Sequence, residues 1–139
     1  MWQKPIKKAV FTLNVGDFAP EITALTFPYI KRYAEKIGAR FYVIRERKFP
    51  EWPVTYEKFQ IYELAQQMGN DWNIYIDADT LVHPDLLDIT NHLTKDTVAH
   101  NANDIAGNRQ HDATSRRHRW DISSRWRHWC DEYHARLGY

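Results

Sequence analysis

A single cysteine, Cys130, stands among 139 residues. No disulfide can close within such a chain, and the sequence reads as one from a reducing, cytoplasmic setting. No run approaches the ~20 apolar residues that a membrane-spanning helix needs. The opening Met1-Trp2-Gln3-Lys4-Pro5 lacks the apolar stretch of a secretory signal. Neither sign of charge is in excess. Nineteen Lys and Arg stand against eighteen Asp and Glu, a net +1, so no overall field gathers nucleic acid or a membrane surface. Glycine is scarce, with five in all. After the first apolar run Gly16 stands alone beside Asp17, where a phosphate-cradling loop carries several glycines.

Apolar and aromatic side chains are plentiful, at 43% and 14%. They provide the surface that offsets the entropy of ordering, so the chain is expected to fold, and its length suits one domain. Residues 8–15 form a compact apolar run ending at Gly16-Asp17, which reads as a buried strand followed by a turn. From Pro20 onward Ile22, Leu25, Tyr29, Tyr33 and Ile37 recur at steps of three and four, which predicts one face of a helix stopped by Gly38. Pro28 has no amide hydrogen, so that helix is expected to kink there or to start afresh near Phe27.

A second strand is predicted over 39–45, around Phe41-Tyr42-Val43-Ile44. Pro50 and Pro53 make an extended loop of 48–53. A helix follows, with an apolar face from Phe59, Ile61, Tyr62, Leu64, Ala65 and Met68 and a cap at Gly69. Residues 72–76 return to strand character and run straight into Asp77. This β-α-β-α-β order predicts an α/β fold with a mainly parallel sheet flanked by helices, whose ligands bind outside the carboxyl ends of the strands. A short helix is expected over 84–90 with Leu86, Leu87 and Ile89 inward, and a short strand over 97–100. Residues 107–139 hold seven arginines, four histidines and three tryptophans but no lysine. Ile122, Trp126, Trp129, Tyr133 and Leu137 share one helical face there. The expected organisation is an α/β domain over 1–106 and a C-terminal segment over 107–139, read as one helix packed on it.

Asp77 and Asp79 form the pattern with most chemical content. Two carboxylates one residue apart, directly after a buried strand, offer hard oxygen ligands to a divalent cation such as Mn2+ or Mg2+. A cation held there can also take diphosphate oxygens and neutralise a nucleoside diphosphate leaving group.

The segment Ile74-Tyr75-Ile76-Asp77-Ala78-Asp79-Thr80-Leu81-Val82 resembles the metal-binding core of A-type glycosyltransferases, especially the glycogenin-like family 8 enzymes. The resemblance runs to about residue 91. It takes in Lys58 of Tyr56-Glu57-Lys58-Phe59, at the start of the helix leading into the acidic strand, and the opening strand around Phe11-Thr12-Leu13-Asn14-Val15. It implies a GT-A-like fold and a metal-dependent, hexosyltransferase-like enzyme taking a nucleotide diphosphate sugar, a UDP-sugar above all. By the same resemblance Asp79 chelates the metal, Asp77 shares it or binds the donor ribose, and Lys58 lies near the donor phosphates or sugar. Thr12 and Asn14 offer backbone or side-chain hydrogen bonds to the base.

Those enzymes complete the metal shell with a histidine in a downstream His-x-x-Gly-x-x-Lys-like segment that this chain lacks. His83 follows the acidic turn and reads as a surface residue. The acceptor-binding half also has no counterpart, so the fold is expected to be short or incomplete at its C-terminal end: a minimal form, a truncated or inactive product, or a chain whose last third came from a shifted reading frame. The acceptor is not legible. Two other readings compete. One is a nucleotidyltransferase of related fold, against which the solitary Gly16 argues. The other is a non-catalytic, degenerate transferase whose Arg117, Arg119, Arg125 and Arg127, interleaved with Trp120 and Trp126, bind nucleic acid.

Overall fold

The computed structural model describes residues 2–94. The chain divides into two units, 1–88 and 89–139, and among the described residues everything that positions the acidic turn lies in the first. The expected strand over 97–100, the C-terminal segment over 107–139 and the five histidines from His100 onward lie outside the described residues.

The first unit is an α/β arrangement around a three-stranded parallel sheet in the order β2-β1-β3. Strand β1 (Lys8–Leu13) is central, buried throughout its middle. Strand β2 (Ala39–Ile44) flanks it on one side and β3 (Trp72–Tyr75) on the other. The chain moves outward from β1 to β2, then crosses back to β3. Strand order therefore reverses between β1 and β3, and the crevice beyond their carboxyl ends is the place where parallel sheets bind ligands. Pairing outlasts the strands. The Asn14 amide donates to the Ile44 carbonyl and the Ile76 amide to the Phe11 carbonyl, each at 2.9 Å, so both chains leave the sheet in fixed directions.

Helix α1 (Pro20–Lys36) covers one face. It spans Pro28 as a single helix and does not start afresh near Phe27. Pro28 and Ala24, whose carbonyl loses its intrahelical donor, are both exposed, so water can satisfy what the ring removes. The buried face differs from the predicted one. Thr23, Thr26, Ile30, Tyr33 and Ala34 face the sheet, with Ile37 just beyond, whereas Leu25 is 69% exposed and Ile22 and Tyr29 also lie outward. Steps of four residues overshoot a helical turn by about 40° each. The predicted stripe thus winds around the helix, and only Tyr33 and Ile37 of its members reach the core they share with Val10 and Val82.

The second crossover has two parts. The proline loop leads into a 3-10 helix (Val54–Phe59), which continues into α2 (Gln60–Met68) and ends at Gly69 in the left-handed region, φ 66°. That cap is where the sequence places it. The α2 residues are half-buried at best, and Tyr62 lies outward, because a three-stranded sheet offers a short helix little surface to cover.

After β3 the expected helix over 84–90 does not form. Only a turn at Pro84 precedes a 3-10 turn (Ile89–His92), and Leu86 and Leu87 are exposed rather than inward. The carbonyls that a helix would engage are taken by side chains of the first unit. The Lys36 ammonium donates to Pro84 O at 3.0 Å and Leu86 O at 3.1 Å, and the Tyr33 hydroxyl to Leu87 O at 3.1 Å. Lys8 and Asp88 then close an ion pair at 2.5 Å, each side chain largely buried. This strap runs extended along the C-terminal end of α1.

Candidate functional site

The acidic turn begins where β3 leaves the ladder. Ile76 still packs against the α1 core, so alternation along the strand sends Tyr75 and Asp77 to the opposite face. The Thr80 amide closes a turn on the Asp77 carbonyl at 3.0 Å. Ala78, buried between two exposed aspartates, points inward and fixes the turn. Its carbonyl accepts a 2.5 Å hydrogen bond from the buried Thr26 hydroxyl of α1. The segment is therefore pinned from both sides, by packing of Ala78 and by a bond to a neighbouring element.

Tyr75 links the parts of the site. Both Asp77 and Asp79 lie within electrostatic reach of its phenol. Burial first, then the nearby Asp77 and the negative charges of Asp77 and Asp79, hold the phenol well above its usual pKa. Over the other side of the ring lies Lys58, its ammonium 5.8 Å from the centroid. Lys58, Tyr75, Asp77 and Asp79 thus form one group beside the carboxyl end of β3.

Lys58 owes its place to its neighbour. Glu57 is fully buried, and its carboxylate accepts from the Lys48 and Phe49 amides at 2.9 Å each and from Gln60 Nε2 at 2.6 Å. Arg47 Nε adds a longer contact at 3.4 Å, while its Nη2 holds the Trp52 and Phe49 carbonyls. Burial alone pushes this carboxyl up. The hydrogen bonds to Lys48, Phe49, Gln60 and Arg47 outweigh it and hold the pKa below the ordinary value. Glu57 so ties the proline loop to the 3-10 helix that carries Lys58. The rings of Trp52, Tyr56 and Phe59 pack in tilted and edge-to-face pairs, with centroids 5.0 and 5.5 Å apart.

Thr12 and Asn14 belong to the other face. They alternate with Phe11 and share the side of Val10, under α1. Both are buried, and among the described residues neither Thr12 Oγ1 nor Asn14 Oδ1 has a hydrogen-bond partner. Such an orphaned group destabilises a fold by about 1–3 kcal/mol, so a ligand that satisfies it recovers binding energy. Asn14 lines a cleft of about 380 Å³ with Asp17, Phe27 and Arg45. The backbone above it is unusual. Gly16, Asp17 and Ala19 all have positive φ, at 70°, 52° and 43°, and the α1 N-terminus carries no side-chain cap. Strain of this kind in non-glycine residues is concentrated at ligand-binding sites.

The structure thus brings Lys58 to Asp77 and Asp79, and sets Thr12 and Asn14 across the sheet edge from them. His83 is exposed, its Nδ1 accepting from the Asp85 amide at 3.1 Å, in keeping with a surface role. Among the described residues no group of three or more His, Cys, Asp or Glu gathers around a point, so the two aspartates stand as a pair. Sequence reasoning passed over Tyr75 and Glu57. Tyr75 carried a signal, being two residues before Asp77 on a strand and so on its face. Glu57 carried little, because apart from Gln60 its partners lie eight to ten residues upstream.

No family model, curated protein or solved structure matches the chain. Among the described residues no helix is long and apolar enough to cross a membrane.

Proposed function

We propose that the chain is the donor-binding part of a metal-dependent, GT-A-like glycosyltransferase acting on a nucleotide diphosphate sugar. The observation that carries this reading is the gathering of Lys58, over the Tyr75 ring, with Asp77 and Asp79 at the carboxyl end of a parallel strand, beside the point where strand order reverses. A cation and two carboxylates on one side of that crevice suit a diphosphate and the divalent ion that accompanies it.

The residues fit such an ion. Asp77 and Asp79 are exposed, and neither is neutralised by a basic side chain among the described residues, so their oxygens are available to Mn2+ or Mg2+. Both cations accept few protein ligands and complete their shells with water and phosphate oxygens. When bound, the metal supplies charge neutralisation to the departing nucleoside diphosphate. Asp79 would hold it, and Asp77 would share it or bind the donor ribose. Lys58 offers a point charge to the phosphates. Asn14, which lines the cleft under α1, would offer the base a hydrogen bond, with Thr12 buried two residues before it on the same face of β1, and uridine diphosphate sugars are the donor class we infer.

Calorimetric titration with a panel of nucleotide diphosphate sugars, with and without manganese, tests donor and metal together. Manganese-dependent binding of one donor class is expected. Binding of none, in either condition, overturns the reading. The rival in which the chain is a nucleic-acid-binding module predicts instead salt-dependent oligonucleotide binding that Asp79→Asn leaves unchanged.

A further inference from the structure

Asn14 is the first residue beyond β1 and Arg45 the first beyond β2. Pairing carries on to this point, since Leu13 aligns with Ile44 and the Asn14 amide donates to the Ile44 carbonyl. Val10 and Phe41, aligned further back in the same register, both pack on the α1 core, so alternation returns Asn14 and Arg45 to that side. They line one cleft of about 380 Å³ with apolar walls from Pro20, Phe27 and Pro28. That is the size of a small-molecule pocket, roughly 300–1,000 Å³. Asn14 is 3% exposed and its Oδ1 has no partner among the described residues. Arg45 is exposed and makes no ion pair among them.

The cleft does not suit a phosphate, although a helix begins beside it. Pro20 has no amide hydrogen, and the Ile22 and Thr23 amides are both spent on the Ala19 carbonyl. Asp17 adds a negative charge to the lining. Apolar walls with a polar edge suit a flat, uncharged heterocycle instead.

We propose that Arg45 is a specificity-determining residue for the donor base, selecting bases with a carbonyl at their pairing edge, uracil and guanine, over cytosine and adenine, which carry an amino group there. This inference rests on the donor-site reading above and deepens it. A guanidinium only donates hydrogen bonds. Uracil O4 and guanine O6 accept them, whereas the cytosine and adenine amino groups set donor against donor. Asn14 does not choose. Its amide accepts at one end, donates at the other, and turns to suit the neighbouring ring nitrogen. The mismatched base leaves polar groups unpaired in the cleft, which weakens its binding.

The full chain is titrated by calorimetry with uridine, cytidine, guanosine and adenosine diphosphates, manganese being present throughout. The unsubstituted protein is expected to prefer uridine to cytidine diphosphate, and guanosine to adenosine diphosphate, by about tenfold, the scale of one base-edge contact. Arg45→Gln puts in place an amide that donates or accepts, so both preferences are expected to fall to about twofold or less. Arg45→Lys, still a donor only, is expected to keep their direction. A residue that served only the fold, or only the phosphates, would shift all four affinities together and leave their ratios intact. Equal affinities in the unsubstituted protein, a preference for the amino bases, or a preference that survives in Arg45→Gln overturns the inference and leaves the donor site standing. Binding of none of the four by the unsubstituted chain overturns the donor site and the inference with it.

Discussion

The Thr26 hydroxyl, nearly two turns into helix α1, donates a 2.5 Å hydrogen bond to the carbonyl of Ala78, the residue between the two aspartates. A helix on one face of the sheet thereby fixes a turn whose charged side chains work beyond its edge. Thr26→Val removes the donor and leaves a buried carbonyl unpaired, which destabilises by about 1–3 kcal/mol. Urea denaturation is expected to show that loss. Because the turn loosens, manganese affinity is expected to fall as well; stability loss with unchanged metal affinity would show that the bond serves the fold alone.

Asp79 is exposed and makes no side-chain hydrogen bond among the described residues, so Asp79→Asn is expected to leave the stability within about 0.5 kcal/mol of wild type, as surface substitutions do. Manganese-dependent donor binding and sugar transfer should vanish. Retained, metal-dependent turnover in that variant would remove the aspartate pair from the mechanism.

Thr12 offers the opposite combination. Its hydroxyl is buried without a partner among the described residues, and Thr12→Val substitutes a methyl of similar shape for it. Stability is expected to rise by up to about 1 kcal/mol, the desolvation penalty recovered. Donor affinity is expected to drop at the same time. A stabilised variant that binds donor as before would place Thr12 outside the site.

Glu57 predicts a pH dependence whose sign follows from its lowered pKa. A carboxyl that binds protons less readily when folded than when unfolded contributes its full stability above the ordinary value of 4.5, and loses it as pH falls through the lower folded value. Glu57→Gln places an amide against the Lys48 and Phe49 donors and is expected to destabilise by at least about 2 kcal/mol at pH 7. Thermal melts from pH 7 to pH 3 should show the gap between wild type and Glu57→Gln narrowing below about pH 4. A gap that stays constant over this range would mean that the charge of Glu57 is not what holds the loop.

Lys58→Ala is expected to weaken donor binding with little effect on stability, since the side chain is exposed and has no ion-pair partner among the described residues. Binding measured by titration at the wild-type constant would restrict Lys58 to a surface role.

What the sequence determined on its own was local. The alternation of strands and helices, the cap at Gly69 and the emergence of Asp77 and Asp79 straight from a strand all follow from periodicity and turn chemistry over a few neighbouring residues. So does the face shared by Tyr75 and Asp77, since a strand alternates strictly. Which side of α1 met the sheet was decided only in three dimensions. The chain buries threonines there and leaves Ile22 and Leu25 exposed, because Thr26 has a carbonyl to bind across fifty-two residues and the stripe of apolar spacing winds past the contact. The strap after the acidic turn stays extended for the same kind of reason: Lys36 and Tyr33 supply donors that no neighbour in sequence reveals. Glu57 buried as an anion, and Lys58 brought to Tyr75, depend on crossovers that join distant segments. Hydrogen bonds and charges act over a few ångströms of space, and only the folded chain sets which groups lie that close.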